Sequence, residues 1–298
     1  MKMNRGAVCV LGCYVMWGLL PIFWKQLSAV DSLYVLATRA IWAFIMTGIV
    51  LALRRDGFAG LRSVLKSKKE RLQLTVSGWA ICINWGLYIW AVSNDRILDS
   101  SLATYLNPIL AIALGAVVWR EKLSRLRWLA VAIAAAGFLI AAMRYGQVPW
   151  LALAISFSFT TYGAVKKSVD TDSVTATFFE TLILMPFAIA LVLWMEVRGT
   201  GAGGILQGWQ WLLLPASGVV TGLPLVMFSA GLKTTPMTLA GILMYINPTL
   251  QLLVSVLIYH EPFTMTHRIL FVFVWVGLAL YLASGFLESR KKEEQVCE

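Results

Sequence analysis

Charge is what this sequence lacks most. Only 13% of its 298 residues are Asp, Glu, Lys or Arg, while 59% are hydrophobic. Water-soluble domains carry about one-quarter charged residues, so an ordinary soluble enzyme or binding module is excluded. Acidic side chains are scarcer than basic ones, 15 against 25. The resulting net charge of +10 does not indicate a nucleic-acid partner, because the basic residues lie in short gaps between apolar runs rather than on one polar domain. Cysteine is limited to Cys9, Cys13, Cys82 and Cys297, three of them inside apolar runs and none in a CxxC spacing. No disulfide framework is expected. His260 and His267, with Glu261 beside the first, are too few for a metal cluster, and no metal or cofactor is expected. No Walker A pattern is present, so ATP is not an expected energy source.

Long apolar runs are what the chain has instead. A helix needs roughly 20 apolar residues to cross the hydrocarbon core. Ten segments qualify, near 7–25, 33–53, 72–92, 99–119, 126–144, 148–166, 174–195, 209–232, 236–259 and 267–287. The first runs well past Cys13, so it reads as a spanning helix rather than a cleaved leader. With the N-terminus placed in the cytoplasm, nineteen Lys and Arg fall in inside segments and five outside, with Arg39 inside a helix. That bias predicts both termini inside.

One pattern occurs twice. Tyr105–Leu106–Asn107–Pro108 is followed by Glu121, and Tyr245–Ile246–Asn247–Pro248 by Glu261, at a constant offset that also pairs Gly137 with Gly277. Earlier helices match more weakly, Trp17–Gly18 with Tyr162–Gly163 and Arg39 with Glu180. Five spans per half is an odd number, so the second half inserts upside down, with Glu121 cytoplasmic and Glu261 outside. The expected fold is all-α and integral to the membrane, ten transmembrane helices as two inverted five-helix repeats. The units are 1–145 and 146–288, with a charged and unstructured tail at 289–298. Pro108 and Pro248 each remove a backbone donor and clash with the carbonyl four residues back, so both are expected helix breaks. In lipid such a break is tolerated only against protein or a wet cavity. Paired breaks in two half-chains point to a midplane binding site.

These motifs carry a family resemblance. Together with Gly18–Leu19–Leu20–Pro21–Ile22–Phe23–Trp24–Lys25, Thr38–Arg39 and Glu180–Thr181, they resemble the EamA-type branch of the drug/metabolite transporter superfamily, and within it the bacterial RarD proteins. The resemblance covers nearly the whole chain. It implies an inner-membrane permease, for small metabolites or drugs, that is not an enzyme.

Candidate site residues follow from polarity at depth. Asn107 and Asn247, with Tyr105 and Tyr245 beside them, either bind polar substrate groups or join helices. Trp17, Trp85 and Tyr88 sit mid-span, where an interfacial belt does not explain them. They line a cavity or pack the core. Charge at the bilayer centre costs about 2.5–3.5 kcal/mol on insertion scales, so Arg39 and Glu180 must face protein or water. Arg39 reads as a partner for an anionic group, and Glu180 as a proton or cation carrier, with interfacial anchoring as the alternative for both. Helical rise sets them at depths of order 12 Å apart, so no direct contact between them is expected. Lys25 and Lys166–Lys167, at opposite helix ends, read as snorkelling anchors. Gly218 and Gly222 form a small-residue face suited to close helix packing. The expected mechanism is secondary transport by alternating access, with an integral-membrane enzyme as the alternative. The expected partners are a small-molecule substrate and the lipid bilayer, with no nucleic acid.

Overall fold

The computed structural model describes residues 5–93, 97–145, 149–260 and 265–297, and among these it contains helices and no strand. The elements are α1 (Arg5–Lys25), α2 (Ser32–Leu53), α3 (Ala59–Lys66), α4 (Lys68–Ser93), α5 (Ile97–Val118), α6 (Arg125–Tyr145), α7 (Trp150–Ser168), α8 (Ser173–Val197), α9 (Leu213–Thr234), α10 (Met237–Met244), α11 (Ile246–Leu257) and α12 (Met265–Cys297). Among the described residues, seven stretches are individually long and apolar enough to cross a membrane, in α1, α2, α4, α6, α8, α9 and across α10–α11. Leu102–Val118 of α5 and Arg268–Tyr281 of α12 are shorter apolar stretches.

Two expectations about element bounds need correction. Between the second and third spans the chain forms the amphipathic α3 and the first turn of α4, which the apolar runs do not reveal. The charged tail continues α12 to Cys297, as a run of Glu, Lys, Arg and Gln with good helix propensity can. The two Asn-Pro sites also differ. Pro108 lies inside an uninterrupted α5. The ninth span is divided at Tyr245, next to Met244, whose carbonyl Pro248 would strike.

The start of a spanning helix leaves N–H groups unpaired. Two helices, one from each half of the chain, solve this alike. Asp31 Oδ1 accepts from the Leu33 N–H at 2.8 Å at the start of α2. Asp172 Oδ1 accepts from the Val174 and Thr175 N–H groups at 3.1 and 3.2 Å at the start of α8. Asp172 lies outside the spans. Burial alone would raise its pKa, but hydrogen bonds from Thr175 and the Arg54 guanidinium, 2.9 Å away, outweigh burial and hold the carboxyl below its ordinary value.

The packing is mostly between the halves of the chain. Helix α2 packs on α8, α5 on α10 and α6 on α12. Helix α1 packs on α9 as α4 does on α7, α2 on α9 as α4 on α8, and α5 on α7 as α1 on α10 and α11. Small residues set the closest approaches. A Cβ on Gly218 would lie 2.4 Å from the Trp42 carbonyl carbon, which brings α9 and α2 backbone to backbone. The paired Gly137 and Gly277 both serve the α6–α12 contact, against Phe273 and the Ala130 carbonyl respectively.

Candidate functional site

A cavity of about 590 Å³ runs from the middle of the bundle to the connection between α1 and α2. Its volume is within the usual range for small-molecule sites, about 300–1,000 Å³. At its deep end lie Asn107 of α5 and Asn247 of α11, one from each half of the chain. The Asn247 Oδ1 accepts from Gln251 Nε2 at 2.9 Å, one turn along the same helix. The Asn107 Oδ1 is buried and has no hydrogen-bond partner among the described residues. Asn84 of α4 donates to the Ile155 carbonyl at 2.8 Å and so ties α4 to α7 along the cavity wall.

The wall above the asparagines is aromatic and cationic. Trp17, Trp24, Trp85 and Tyr88 line it with Arg39. The Arg39 guanidinium carbon lies 4.0 Å from the Trp85 ring centre and 5.6 Å from that of Trp24. Its Nε is buried and has no hydrogen-bond partner among the described residues. Trp17 packs its other side on Phe228, Phe159 and Tyr14, at ring separations of 5.5 to 5.9 Å. Lys25 stands at the mouth, its ammonium 5.3 Å from the Tyr259 ring centre.

The opposite end of the bundle is closed by polar links. Glu180, 2% exposed, forms an ion pair with Lys166 at 2.8 Å and accepts from the Ser77 hydroxyl at 2.5 Å. Lys167 donates to the Leu232 and Thr235 carbonyls at the end of α9, at 3.2 and 2.5 Å. Lys233 answers from α9 by donating to the Asp170 and Thr171 carbonyls. Glu121 accepts from the Met237 and Thr238 N–H groups at 2.6 and 2.8 Å, which caps α10 from the other half of the chain.

Most sequence candidates therefore meet, and some do not. Asn107, Asn247, Trp17, Trp85, Tyr88 and Arg39 share one cavity. Tyr105 and Tyr245 do not line it; both are buried in an apolar cluster with Leu102, Phe138 and Leu270. Two residues along a helix is about 200° of rotation, so each tyrosine faces away from its asparagine. Glu180 is also absent from the cavity wall, and its partners are Lys166 and Ser77 rather than Arg39. Lys166 is not a snorkelling anchor, being 1% exposed. Glu261 lies outside the described residues. The described residues contain no cluster of His, Cys, Asp and Glu able to hold a metal. Sequence reasoning did not pick out Asn84, Trp24 and Gln251. Gln251 is one turn from Asn247, and Asn84 one turn from Tyr88, which is the signal that was there to be read.

This combination of a helical bundle with a cavity between two half-chains, aromatic-walled with an asparagine from each, has a family. The EamA-like transporter family matches the chain twice, over residues 4–143 and 148–283, and the protein belongs to that family, within the drug/metabolite transporter superfamily. It is RarD-like: it is 33% identical to "Protein RarD" of Streptomyces exfoliatus over 99% of this chain and 93% of that one. It is 32% identical to "Protein RarD" of Escherichia coli (strain K12) over 97% of each. It is 40% identical to the "Uncharacterized transporter YojE" of Bacillus subtilis (strain 168) over 94% of each. A solved crystal structure resembles it in fold, with a TM-score of 0.70 over 93% of this chain at 19% identity. The chain is thus a multi-pass bacterial membrane transporter.

Proposed function

We propose that the protein is a secondary transporter that moves a small molecule across the inner membrane by alternating access, with its site at the midplane between two inverted five-helix repeats. The units are residues 1–145 and 146–288, and both termini are cytoplasmic. The observation that carries this reading is the cavity with one asparagine from each half at its floor. The packing supports the inverted repeat. Exchanging each helix for its counterpart in the other half turns α1–α9 into α4–α7 and α2–α9 into α4–α8, while α2–α8, α5–α10 and α6–α12 map onto themselves. An internal two-fold axis produces that behaviour.

The excess of Lys and Arg at the closed end supports a cytoplasmic position for that end. The cavity then faces outward, and Asn107 and Asn247 contact the substrate. Glu180 is the coupling candidate: protonation would remove the negative partner of Lys166 and loosen the closed end. Proteoliposomes with an imposed pH gradient, screened against small metabolites, test the reading. The expected result is flux of one chemical class, reduced at least about tenfold by Asn107→Ala or Asn247→Ala, as loss of a buried hydrogen-bonding group implies. Failure of every solute to move, or flux indifferent to both substitutions, would overturn it. A pH dependence that persists in full in Glu180→Gln would remove Glu180 from the coupling role alone.

A further inference from the structure

The cavity's charge is one-sided. Arg39 and Lys25 line it, and among the described residues no Asp or Glu does. The cavity thus holds fixed positive charge in apolar surroundings without a carboxylate to balance it.

The aromatic residues could be taken for a cation-binding box. The rings beside the cations are already taken. Trp85 and Trp24 both lie against the Arg39 guanidinium, and the Tyr259 ring at the mouth is under Lys25. Stacking satisfies the face of a guanidinium but not its edge, where its five N–H donors lie in one plane. Arg39 makes no hydrogen bond or ion pair among the described residues, and its Nε is buried without a partner. By contrast, Lys166, the buried cation at the other end, has its carboxylate at 2.8 Å. A fork of donors whose carbon lies 4.0 and 5.6 Å from two indole ring centres, with its N–H groups unbonded among the described residues, suits a planar, two-oxygen acceptor.

We infer that the substrate is a small organic carboxylate, its anionic group bound edge-on by Arg39 and its flat apolar body lying along Trp17. Asn107, whose buried Oδ1 also lacks a partner, is left to accept a hydrogen bond from a donor elsewhere on the molecule. This inference rests on reading the cavity as a transport site, and it adds the substrate's charge and shape.

The test uses the full chain in nanodiscs and three probes that differ only in head group: 3-phenylpropionate, 3-phenylpropan-1-ol and 3-phenylpropylamine. Calorimetric titration at neutral pH should show the carboxylate binding at least about tenfold more tightly than the alcohol, as a charge-assisted pair in a poorly solvated site implies, and the amine most weakly. Arg39→Gln should collapse the carboxylate-to-alcohol ratio to near one. Arg39→Lys should keep a smaller preference, because an ammonium lacks the fork. Equal binding of carboxylate and alcohol, tighter binding of the amine, no binding of any probe, or a ratio unchanged in Arg39→Gln would each overturn the inference. If Arg39→Gln does not fold, the wild-type ratio and the Arg39→Lys ratio decide. Flux of radiolabelled 3-phenylpropionate into proteoliposomes separates the two readings. Arg39-dependent binding without flux would sink the transport reading and leave the anion site. Flux of small solutes with no preference for carboxylates would sink the anion site and leave transport.

Discussion

Arg39 and Glu180 occupy the same register in equivalent helices, each eight residues past an aspartate that caps its helix, Asp31 for α2 and Asp172 for α8. The chain then treats them in opposite ways. Glu180 is enclosed with Lys166, Ser77 and the end of α7, so its charge is answered within the protein. Arg39 lies over indoles in the cavity wall, and among the described residues its buried Nε has no partner. On the proposed reading of two inverted repeats, the same unit thus yields one sealed end and one receptive end. On that reading, the residue at one register position separates the end held shut by an ion pair from the end that meets solute.

The sharpest way to break that comparison is to remove one member of the sealed pair. Glu180→Gln or Lys166→Met alone leaves a buried charge unpaired and should destabilise the protein by about 3–5 kcal/mol, whereas the double variant Lys166→Met/Glu180→Leu should recover most of the loss. Thermal unfolding in detergent reads both effects. Single and double variants of equal stability would show that the pair does not hold the closed end. A smaller effect is expected at the other link across the halves. Glu121→Gln keeps an acceptor but removes the charge at the start of α10, at a cost of about 0.5–1 kcal/mol that shrinks in high salt. A loss independent of salt would mean that shape rather than charge fixes this corner. The smallest effect concerns Asp172. Its depressed pKa means that its contribution is present above the ordinary carboxylate value and is lost as pH falls through its lowered value. The difference in melting point between the wild type and Asp172→Asn should therefore be largest near neutral pH and vanish in acid. A difference that grows in acid would reverse the sign and refute the assignment.

Much of the fold was legible because lipid imposes a crude rule, one apolar run per crossing. All ten runs read from the sequence fall on helices. The cavity residues were legible for a related reason: an Asn, an Arg or an indole N–H in mid-span must face protein or water. What was not legible depended on partners far apart in the chain. Lys166 looks like an anchor until Glu180 is beside it, and Glu121 looks like a loop carboxylate until α10 begins against it. Tyr105 and Tyr245 are adjacent to their asparagines in sequence, but helical rotation sets them on the far face. The unequal effect of the two prolines was hidden as well. The same dipeptide leaves α5 whole and lies beyond the division at Tyr245, so the surroundings rather than the motif decide where the chain yields.

The carboxylate of Glu121 grips the first turn of α10 from the corner between α5 and α6. That grip makes α10 and the corner one lever, moving together or not at all. With one end of the ninth span held in this way, the division at Tyr245 is the place where it could turn, and among the described residues no side chain caps the N–H groups at the start of α11. A swing of α11 about that point would carry Asn247 and Gln251 across the floor of the cavity while the pinned turn stayed in place.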